Sequence, residues 1–463
     1  MTHRNVLVIV SDTFRRDNLV AYGGRGDVCP NLNRFADESS VFDGFYACSF
    51  PTVPARADLL TGRVSFTRQG WGPLNSSWST VAELAGQAGY QTMAITDVPF
   101  LLRSGYGYDR GFEDYLWIRG QPDRLHPESA MDVRAQWRQE SDHFAPRTMT
   151  AAGDWLERRA AVGNRPFFLM VDTWDPHEPF DAPAHYVRKF WPDFDGGDVP
   201  YPPYNELDGG GDGRYKLALG RAAYLGKARM VDFWIGYLLD RLESVGLAED
   251  TAVLFLTDHG FYFGEHNYFG KSIGWRIGPV SENVSAVGEM GRSPLYEEVA
   301  HIPLIARVPG VARGRVPGLA SMPDVAATIL DLVGAPPCDE SVSVISPDAT
   351  SLVARRDVVV TSWPMHLPGE TTQAVDAASR RFSGFMPITV TSGRWSLLYS
   401  HDEGGVELFD LPNDPRQSRN VALDHPEVVH ELHGRLVEYL EAARCPDVYL
   451  APRRRVQLEA TVD

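Results

Sequence analysis

The stretch NVLVIVSD, residues 5–12, decides the class of fold. Its unbroken apolar run is typical of a strand buried on both faces, as in a parallel sheet covered by helices. Four similar runs follow, namely YQTMAITD, PFFLMVDTWD, TAVLFLTDHG and IPLIARVPG. Helical patterns such as STVAELAGQAGY and MTAAGDWLERRAAV alternate with them. The chain is therefore predicted to be an α/β protein with a mainly parallel central sheet flanked by helices.

The pattern changes after about residue 345. DVVVTSW, ITVTSGRWSLLYS and VELFDLPNDP predict antiparallel strands, and PEVVHELHGRLVEYLEAAR predicts a packed helix. We expect a large domain over residues 1–345 and a smaller α+β subdomain with a short antiparallel sheet over residues 346–463. Residues 190–215 are rich in Pro, Gly and Asp and are expected to be irregular, without a strand or helix. Residues 272–294 form a second break; each segment is either the wall of a cleft or a simple insertion.

The composition of the chain limits the classes of partner that it is expected to bind. Lys and Arg number 44 and Asp and Glu 61, so the net charge is −17, which disfavours nucleic acid and anionic membranes. The four cysteines have no metal or redox spacing, which fits a reducing compartment. The first apolar run is too short for a signal or membrane segment. We expect a cytoplasmic protein that acts on a small anionic substrate, and a homo-oligomer is compatible with the sequence.

Acidic residues end three of the predicted strands: Asp12, Asp172 and Asp258. Because parallel strands present their carboxyl ends at one edge of the sheet, these side chains should converge there. Asp12 together with Asp258 and His259 supplies carboxylate oxygens and an imidazole, a set that suits a divalent cation. Asp172 and Asp175 are expected to orient the loop after the second of these strands rather than to bind a second metal ion.

Thr52 poses the central question, within SFPTVPARADLLTGR at residues 49–63. As a lone hydroxyl before a predicted helix it is a good N-cap. A helix N-terminus also binds anions, and the planar fork of Arg56, one turn later, suits two oxygens of a tetrahedral oxyanion. Coordination to a cation would turn the weak hydroxyl of Thr52 into a nucleophile. The roles of cap, metal ligand and nucleophile are compatible with one another.

Several motifs, in their order along the chain, resemble one known family. They are NVLVIVSDTFRRDNLVAYGG, TVPARADLLTGR, DPHEPF, TDHGFYFGEH with a following GK, LYEEVAHIPLI, and VELFDLPNDP with a following NVA. Together they resemble the sulfatase family of the alkaline phosphatase superfamily over nearly the whole chain. The resemblance implies an alkaline-phosphatase-like catalytic domain followed by a smaller C-terminal domain with a short antiparallel sheet.

The resemblance also implies roles for individual residues. The metal ligands would be Asp12, Asp258 and His259, joined by the attacking Thr52. Arg56 and Lys271 would bind the substrate oxyanion, and His177 would assist the leaving group. The fixed direction of His177 between two prolines and a pKa near neutrality suit a general acid. Asn75, in GPLNSSW, resembles a substrate-binding Asn of the related phosphonate monoester hydrolases.

One departure from the family changes the expected chemistry. Family sulfatases carry Cys or Ser where this chain has Thr52, and that residue is oxidised to formylglycine. Oxidising the secondary alcohol of Thr would give a ketone, so no formylglycine is expected. Cys48 lacks the Pro and Arg at the required offsets. A Thr sulfate ester lacks the second hydroxyl through which formylglycine expels sulfate, whereas a phosphorylated Thr is readily hydrolysed.

The sequence therefore predicts a metal-dependent hydrolase of phosphate or phosphonate esters with an unmodified Thr nucleophile and a covalent intermediate. Alternatives are a sulfate-ester hydrolase, a transferase with the same site, and a non-catalytic anion-binding homologue. Thr13 replaces a second Asp common in sulfatases, and AITDVPFLL lacks the family's Lys and His. One divalent ion, Mn²⁺, Zn²⁺ or Ca²⁺, is expected.

Other residues keep two interpretations. His266 either faces the site or braces the loop that holds Lys271. Arg15, Arg16 and Asp17 are expected to form structural ion pairs near the end of the sheet. Four aromatic residues either line a pocket for the leaving group or pack in the core, namely Trp174, Phe180, Tyr262 and Phe263.

Overall fold

A computed structural model of the chain describes residues 4–118, 137–207, 210–277, 288–365, 381–383, 387–401 and 405–458. Its strands are β1 (Asn5–Ser11), β2 (Ser40–Tyr46), β3 (Gln91–Thr96), β4 (Asp114–Trp117), β5 (Phe167–Thr173), β6 (Asn205–Glu206), β7 (Thr251–Leu256), β8 (Tyr262–Phe263), β9 (Tyr268–Gly270), β10 (Ile273–Ile277), β11 (Gly288–Gly291), β12 (Leu304–Arg307), β13 (Gly314–Ser321), β14 (Val358–Ser362), β15 (Arg381–Ser383), β16 (Ile388–Ser392), β17 (Trp395–Tyr399) and β18 (Val406–Asp410).

The α-helices fill the connections between these strands. They are α1 (Pro30–Asp37), α2 (Thr52–Thr61), α3 (Val81–Gln87), α4 (Phe144–Val162), α5 (Ala184–Arg188), α6 (Gly211–Ser244), α7 (Glu297–Ala300), α8 (Met322–Val333), α9 (Pro426–Ala442) and α10 (Asp447–Leu450).

The central sheet has eight strands in the order β13-β2-β12-β7-β1-β5-β3-β4. All neighbouring pairs are parallel except those of β12, which is antiparallel to both β2 and β7. The prediction of a mainly parallel sheet is confirmed. Strand β1 lies between β5 and β7 in parallel register, so the carboxyl ends of these three strands reach the same edge.

Strand β1 is buried on both faces, as its apolar run predicted. Leu7 and Ile9 pack in a core that includes residues of α4 and α6. Val6, Val8 and Val10 belong to a second core, which includes residues of α2, α3 and α8. Helices therefore cover the two faces of the sheet, and its edge at the strand ends is available for polar chemistry.

The C-terminal segment forms a four-stranded antiparallel sheet, β14-β16-β17-β18, against which α9 packs. This confirms the predicted strands and helix. Val390 and Leu408 of this sheet belong to the same hydrophobic core as Val6 of β1. Because that core is continuous, the division into domains at residue 345 stays a prediction.

Two segments expected to be irregular contain regular structure. In residues 190–215, β6 pairs with β9 and α6 already begins at Gly211, so the prediction of no strand or helix is wrong there. The long packed helix propagates into this polar stretch, where Asp212 and Lys216 form an ion pair of 2.6 Å at i,i+4. In residues 272–294, β10 and β11 form an antiparallel pair, and residues 278–287 lie outside the described residues.

All four cysteines are free thiols. Within the described ranges, no helix combines the length and the apolar character that a membrane span requires. The cytoplasmic location and the absence of nucleic-acid and membrane partners stay predictions, as does a homo-oligomer.

Candidate active site

Three side chains meet at the carboxyl ends of β1 and β7, as the sequence predicted. Asp12 follows β1, and Asp258 and His259 follow β7. All three are fully buried, and one ligand atom of each lies within 4.8 Å of the others. His259 Nε2 lies 3.4 Å from Asp258 Oδ2 and 3.9 Å from Asp12 Oδ1. These three residues form what we call the carboxylate–imidazole cluster.

The cluster fits a divalent cation. His259 Nδ1 lies 2.9 Å from the carbonyl oxygen of Gly260, so Nδ1–H donates there and the Nε2 lone pair faces the two carboxylates. Burial lowers the pKa of His259 to about 3, which keeps the ring in the neutral form that binds metals. Two carboxylate oxygens and one imidazole nitrogen suit Mn²⁺ or Zn²⁺ better than Ca²⁺, and the identity of the ion stays a prediction.

Charge around the cluster also favours a cation. Burial raises the pKa of Asp12 well above its usual value, and the charge of Asp258 adds to the rise. Burial opposes ionisation of Asp258 as well, but the charge of Arg56 outweighs it and holds the pKa of Asp258 well below its usual value. In the part of the chain that the structure describes, three carboxylates, including Asp172, face the cations of Arg56 and Lys271, so the site carries excess negative charge when all three are ionised.

Thr52 lies beside the cluster and is not the helix cap. Pro51 occupies the N-cap position of α2, no side chain caps this helix, and Thr52 is its first residue. The cap expectation is therefore wrong, because the backbone enters the helix one residue earlier than that interpretation assumes. The Oγ1 atom of Thr52 lies 3.5 Å from His259 Nε2, and its side chain is 1% exposed. The hydroxyl is thus directed to the cluster.

Arg56 joins α2 to the cluster. Its Nε and Nη2 donate to Asp172 at 3.1 and 2.8 Å, and its Nη1 donates to Asp12 at 3.0 Å, to Asp258 and to the carbonyl oxygen of Thr52. Asp172 therefore holds Arg56, and the expectation that it orients the following loop is wrong. This fork positions both cluster carboxylates; its contact with a substrate oxyanion stays a prediction.

Lys271 supplies the second cation, as its offset from Asp258 suggested. Its Nζ lies 3.1 Å from His259 Nε2 and 3.8 Å from Asp12 Oδ1. It also lies 5.5 Å from the centroid of the Trp174 ring, so its chain is held between an aromatic face and the cluster. An ammonium in this place can interact with an anionic substrate.

His177 also packs against Trp174. Its ring stacks on Trp174 with centroids 3.7 Å apart, and its Nδ1 lies 2.8 Å from the carbonyl oxygen of Glu178. Burial lowers the pKa of His177 to about 4, against the opposing effect of Glu178 and with a further lowering by Lys271. The expectation of a pKa near neutrality is therefore wrong for this arrangement, because burial disfavours the charged ring.

The side chain of Asn75 bonds to a residue two positions further along the chain. Its Oδ1 accepts hydrogen bonds from the backbone N–H and the hydroxyl of Ser77, at 2.9 and 2.7 Å. These bonds form a turn typical of Asn. Substrate binding by Asn75 stays a prediction.

His266 braces its loop. Its Nε2 lies 3.2 Å from Glu298 Oε2, and its ring stacks on Tyr296 with centroids 3.8 Å apart. The structural ion pair of Arg15 with Asp17 is also confirmed, because Arg15 donates two hydrogen bonds to Asp17 at 2.8 and 2.7 Å.

The four aromatic residues have different places. Trp174 contacts both His177 and Lys271 and so belongs to the site. Phe180 and Phe263 pack in an aromatic core, and Tyr262 lies in a further core cluster. For these three the core interpretation holds.

Three residues around the site were missed. Thr13 donates its N–H to Asp258 at 3.0 Å and its hydroxyl to Asp12 at 2.7 Å, with a positive φ of 61° that is strained for a β-branched residue. Asp97 follows β3 and accepts hydrogen bonds from the last residue of β5 and from the residue after it. Its position at a strand end was a signal equal to that of Asp12. Lys227, buried in α6, was signalled only by its place in an apolar helical stretch.

Comparisons with known proteins identify the family and the fold. A family model described as Sulfatase matches residues 4–335. An arylsulfatase of Clostridium perfringens is 25% identical over 501 residues, covering 94% of each chain. Arylsulfatase K of Bos taurus is 23% identical over 467 residues, covering 93% of this chain and 81% of the relative.

Two solved structures share the fold. One, solved with its substrate D-glucosamine-2-N,6-O-disulfate, has a TM-score of 0.72 at 19% identity and covers 97% of this chain and 99% of its own. The phosphonate monoester hydrolase of Agrobacterium radiobacter has a TM-score of 0.69 at 21% identity and covers 95% and 96%.

Proposed function

The chain belongs to the sulfatase family, since the family model matches well over half of its 463 residues, and from this premise we propose that it hydrolyses phosphate or phosphonate esters. In this proposal the unmodified hydroxyl of Thr52 is the nucleophile, and the reaction passes through a covalent intermediate on that residue. The observation that carries it is the place of Thr52 Oγ1, buried and 3.5 Å from His259 Nε2. No capping bond competes for that hydroxyl.

Asp12, Asp258 and His259 would hold the metal ion together with Thr52. When bound, a divalent cation lowers the pKa of a coordinating hydroxyl and offsets charge that develops on the transferred group. Arg56 keeps Asp12 and Asp258 in place through its hydrogen bonds. Lys271 offers an ammonium to the equatorial oxygens of the substrate.

The first step forms a bond and breaks one. The Thr52 oxygen attacks phosphorus in line, the bond to the ester oxygen breaks, and its electron pair leaves with that oxygen. The hydroxyl of Thr52 loses its proton to solvent water and the departing alkoxide gains one from protonated His177, so the step is balanced. Water then attacks phosphorus, releases the phosphate or phosphonate and returns Thr52 to its starting state.

His177 is assigned to protonate the leaving oxygen. Its ring is neutral at pH 7 without substrate, because burial lowers its pKa to about 4. A bound anionic ester would favour the protonated ring and raise that pKa. With Nδ1–H directed to the carbonyl oxygen of Glu178, protonation places the added proton on Nε2, from which it can be donated.

Phosphorus is favoured over sulfur by the chemistry of Thr52. A Thr sulfate ester has no second hydroxyl on the same carbon to expel sulfate, whereas phosphoryl groups leave such esters by attack of water. The solved fold neighbour named as a phosphonate monoester hydrolase supports this direction. We also propose that the site works without formylglycine.

A sulfate-ester hydrolase is the second candidate, and the relatives named arylsulfatase favour it. A transferase with the same site would pass the Thr-bound group to an acceptor other than water. Assays with p-nitrophenyl phosphate, phosphonate and sulfate esters separate phosphorus from sulfur chemistry. Binding of an anion without turnover of any ester would instead identify a non-catalytic homologue.

The nucleophile is tested with two isosteric variants of the same helix. Thr52→Val removes the proposed nucleophile, whereas Thr61→Val removes a buried hydroxyl at the other end of α2 that donates to the carbonyl oxygen of Ala57. We expect Thr52→Val to lose at least about 10³-fold in kcat with its fold intact, because no other group replaces the attacking oxygen. Thr61→Val should stay near wild type. Full activity in Thr52→Val would refute the proposal.

A further inference from the structure

Lys227 is an ammonium buried in the middle of α6, with 1% of its side chain exposed. Its Nζ contacts Asp175 Oδ1 at 2.7 Å and Asp181 Oδ1 at 2.8 Å. It also donates to the carbonyl oxygens of His177 at 2.9 Å and Pro179 at 2.8 Å. All four oxygens belong to residues 175–181, which we call the histidine loop.

Such a burial is costly unless the charge is fully compensated. Here two carboxylates and two carbonyl oxygens surround one cation. Burial lowers the pKa of Lys227, but Asp175 and Asp181 outweigh it and the pKa is raised, so the ammonium stays charged. Removing it would leave two carboxylates without their common cation. The contact is therefore a strong restraint on the loop.

The histidine loop depends on contacts of this kind because residues 174–183 contain no helix or strand. One of the four oxygens is the carbonyl of His177 itself, so Lys227 fixes the backbone of that residue. Trp174 and the carbonyl oxygen of Glu178 then fix its ring. None of the recorded contacts of Lys227 reaches Asp12, Asp258 or His259, so its influence on the site passes through the loop.

We propose that Lys227 is a positioning residue for His177, holding the histidine loop so that the imidazole reaches the leaving oxygen of the substrate. This inference rests on the proposed acid role of His177. It does not depend on whether the ester is one of phosphorus or of sulfur. It also adds a residue on α6, outside the strand-end cluster, to those on which turnover depends.

Leaving-group dependence distinguishes positioning from general structural support. A general acid matters for a poor leaving group such as an alkoxide and little for p-nitrophenolate. The test compares the p-nitrophenyl and the ethyl ester of whichever acid the wild type hydrolyses. We expect His177→Ala to lose about 10²-fold or more on the ethyl ester. Lys227→Met should lose about tenfold or more on the ethyl ester and no more than about twofold on the p-nitrophenyl ester.

Three further variants complete the test. The double variant His177→Ala/Lys227→Met should lose no more than His177→Ala alone, because Lys227 acts only through His177. Lys216→Met, which removes a partly exposed lysine of the same helix, should match wild type on both esters. Asp181→Asn weakens the ion pair with Lys227 at a partly exposed residue. It should lose less activity than Lys227→Met, and again more on the ethyl ester than on the p-nitrophenyl ester. This variant keeps the test possible if Lys227→Met does not fold.

Equal losses on both esters in Lys227→Met and Asp181→Asn, or multiplied losses in the double variant, would overturn the inference. If His177→Ala itself shows no selectivity, the acid role fails and the inference with it. The nucleophile is tested separately by Thr52→Val, so a failure here and a failure of the Thr52 proposal are distinguishable.

Discussion

At the scale of single residues, the properties of the site follow from charged side chains that are buried from water. The sequence predicted Asp12, Asp258 and His259 correctly as neighbours, because each follows a strand that ends at one edge of the sheet. It did not predict that the guanidinium of Arg56 would donate its hydrogen bonds to Asp172 and to the cluster. These contacts depend on the rotation of α2 against the sheet, which no local pattern in the sequence encodes.

The low pKa of His177 predicts a stability effect. The ring titrates at about 4 in the folded state and near 6.5 when unfolded, so between these values the unfolded chain binds more protons. Its stabilising contribution is present above pH 6.5 and is lost as the pH falls toward 4. Lowering the pH from 6.5 to 4.5 should cost wild type about 2 kcal/mol more than His177→Gln. Urea unfolding at both pH values measures this, and equal losses in the two proteins would contradict it.

At the scale of elements, local sequence patterns predicted strands and helices correctly where the packing of the fold favours the same structure. The apolar runs of β1, β3, β5, β7 and β12 and the C-terminal strands were found where predicted. The start of α6 was missed because Gly and Asp in residues 210–215 are poor helix formers, and the packed body of the helix overrides that preference. The end of α2 was not predicted from the sequence. Gly62 ends this helix in the left-handed region, with a φ of 66°.

The close packing around Gly62 predicts that a side chain there destabilises the fold, and a second helix-ending glycine, Gly334, provides a control. A Cβ there would lie 2.8 Å from Ser341 Oγ and 3.0 Å from Cys338, whereas a Cβ at Gly334, which ends α8 with φ of 71°, would meet nothing within 4 Å. Gly62→Ala should lower the free energy of unfolding by about 3 kcal/mol, from backbone strain plus overpacking. Gly334→Ala should lower it by about 1 kcal/mol, from strain alone. Denaturant unfolding of both variants measures the difference; equal losses would show that the steric contact is unimportant.

At the scale of the whole molecule, two helix-covered faces of one sheet leave a single polar edge, and loops from distant parts of the chain meet there. The motif order predicted this architecture and the family, which the match over residues 4–335 confirms. The sequence could not reveal that Lys227 of α6 holds the histidine loop, because that contact joins residues about 50 positions apart. Such contacts follow from the packing of the complete fold.

A bound cation should stabilise the whole fold, since the cluster forms only when β1 and β7 are paired. A ligand that binds only the native state at 100 times its Kd adds about 2.7 kcal/mol. Chelation should therefore lower Tm as well as abolish turnover, and re-adding Mn²⁺, Zn²⁺ or Ca²⁺ should restore both. Asp258→Asn should show little or no such shift. If the chelator changes neither the Tm nor the rate of turnover, the result would contradict a functional metal site.

The most direct measurement is the mass of the peptide that contains Thr52, taken from wild-type protein before substrate and after rapid quench during turnover. Before substrate, the peptide should have the mass of unmodified threonine. During turnover a fraction should carry an added phosphoryl or phosphonyl group, located on Thr52 by fragmentation and absent in Thr52→Val. A fully active enzyme whose intermediate sits on another residue, or whose residue 52 is oxidised, would contradict the proposed nucleophile.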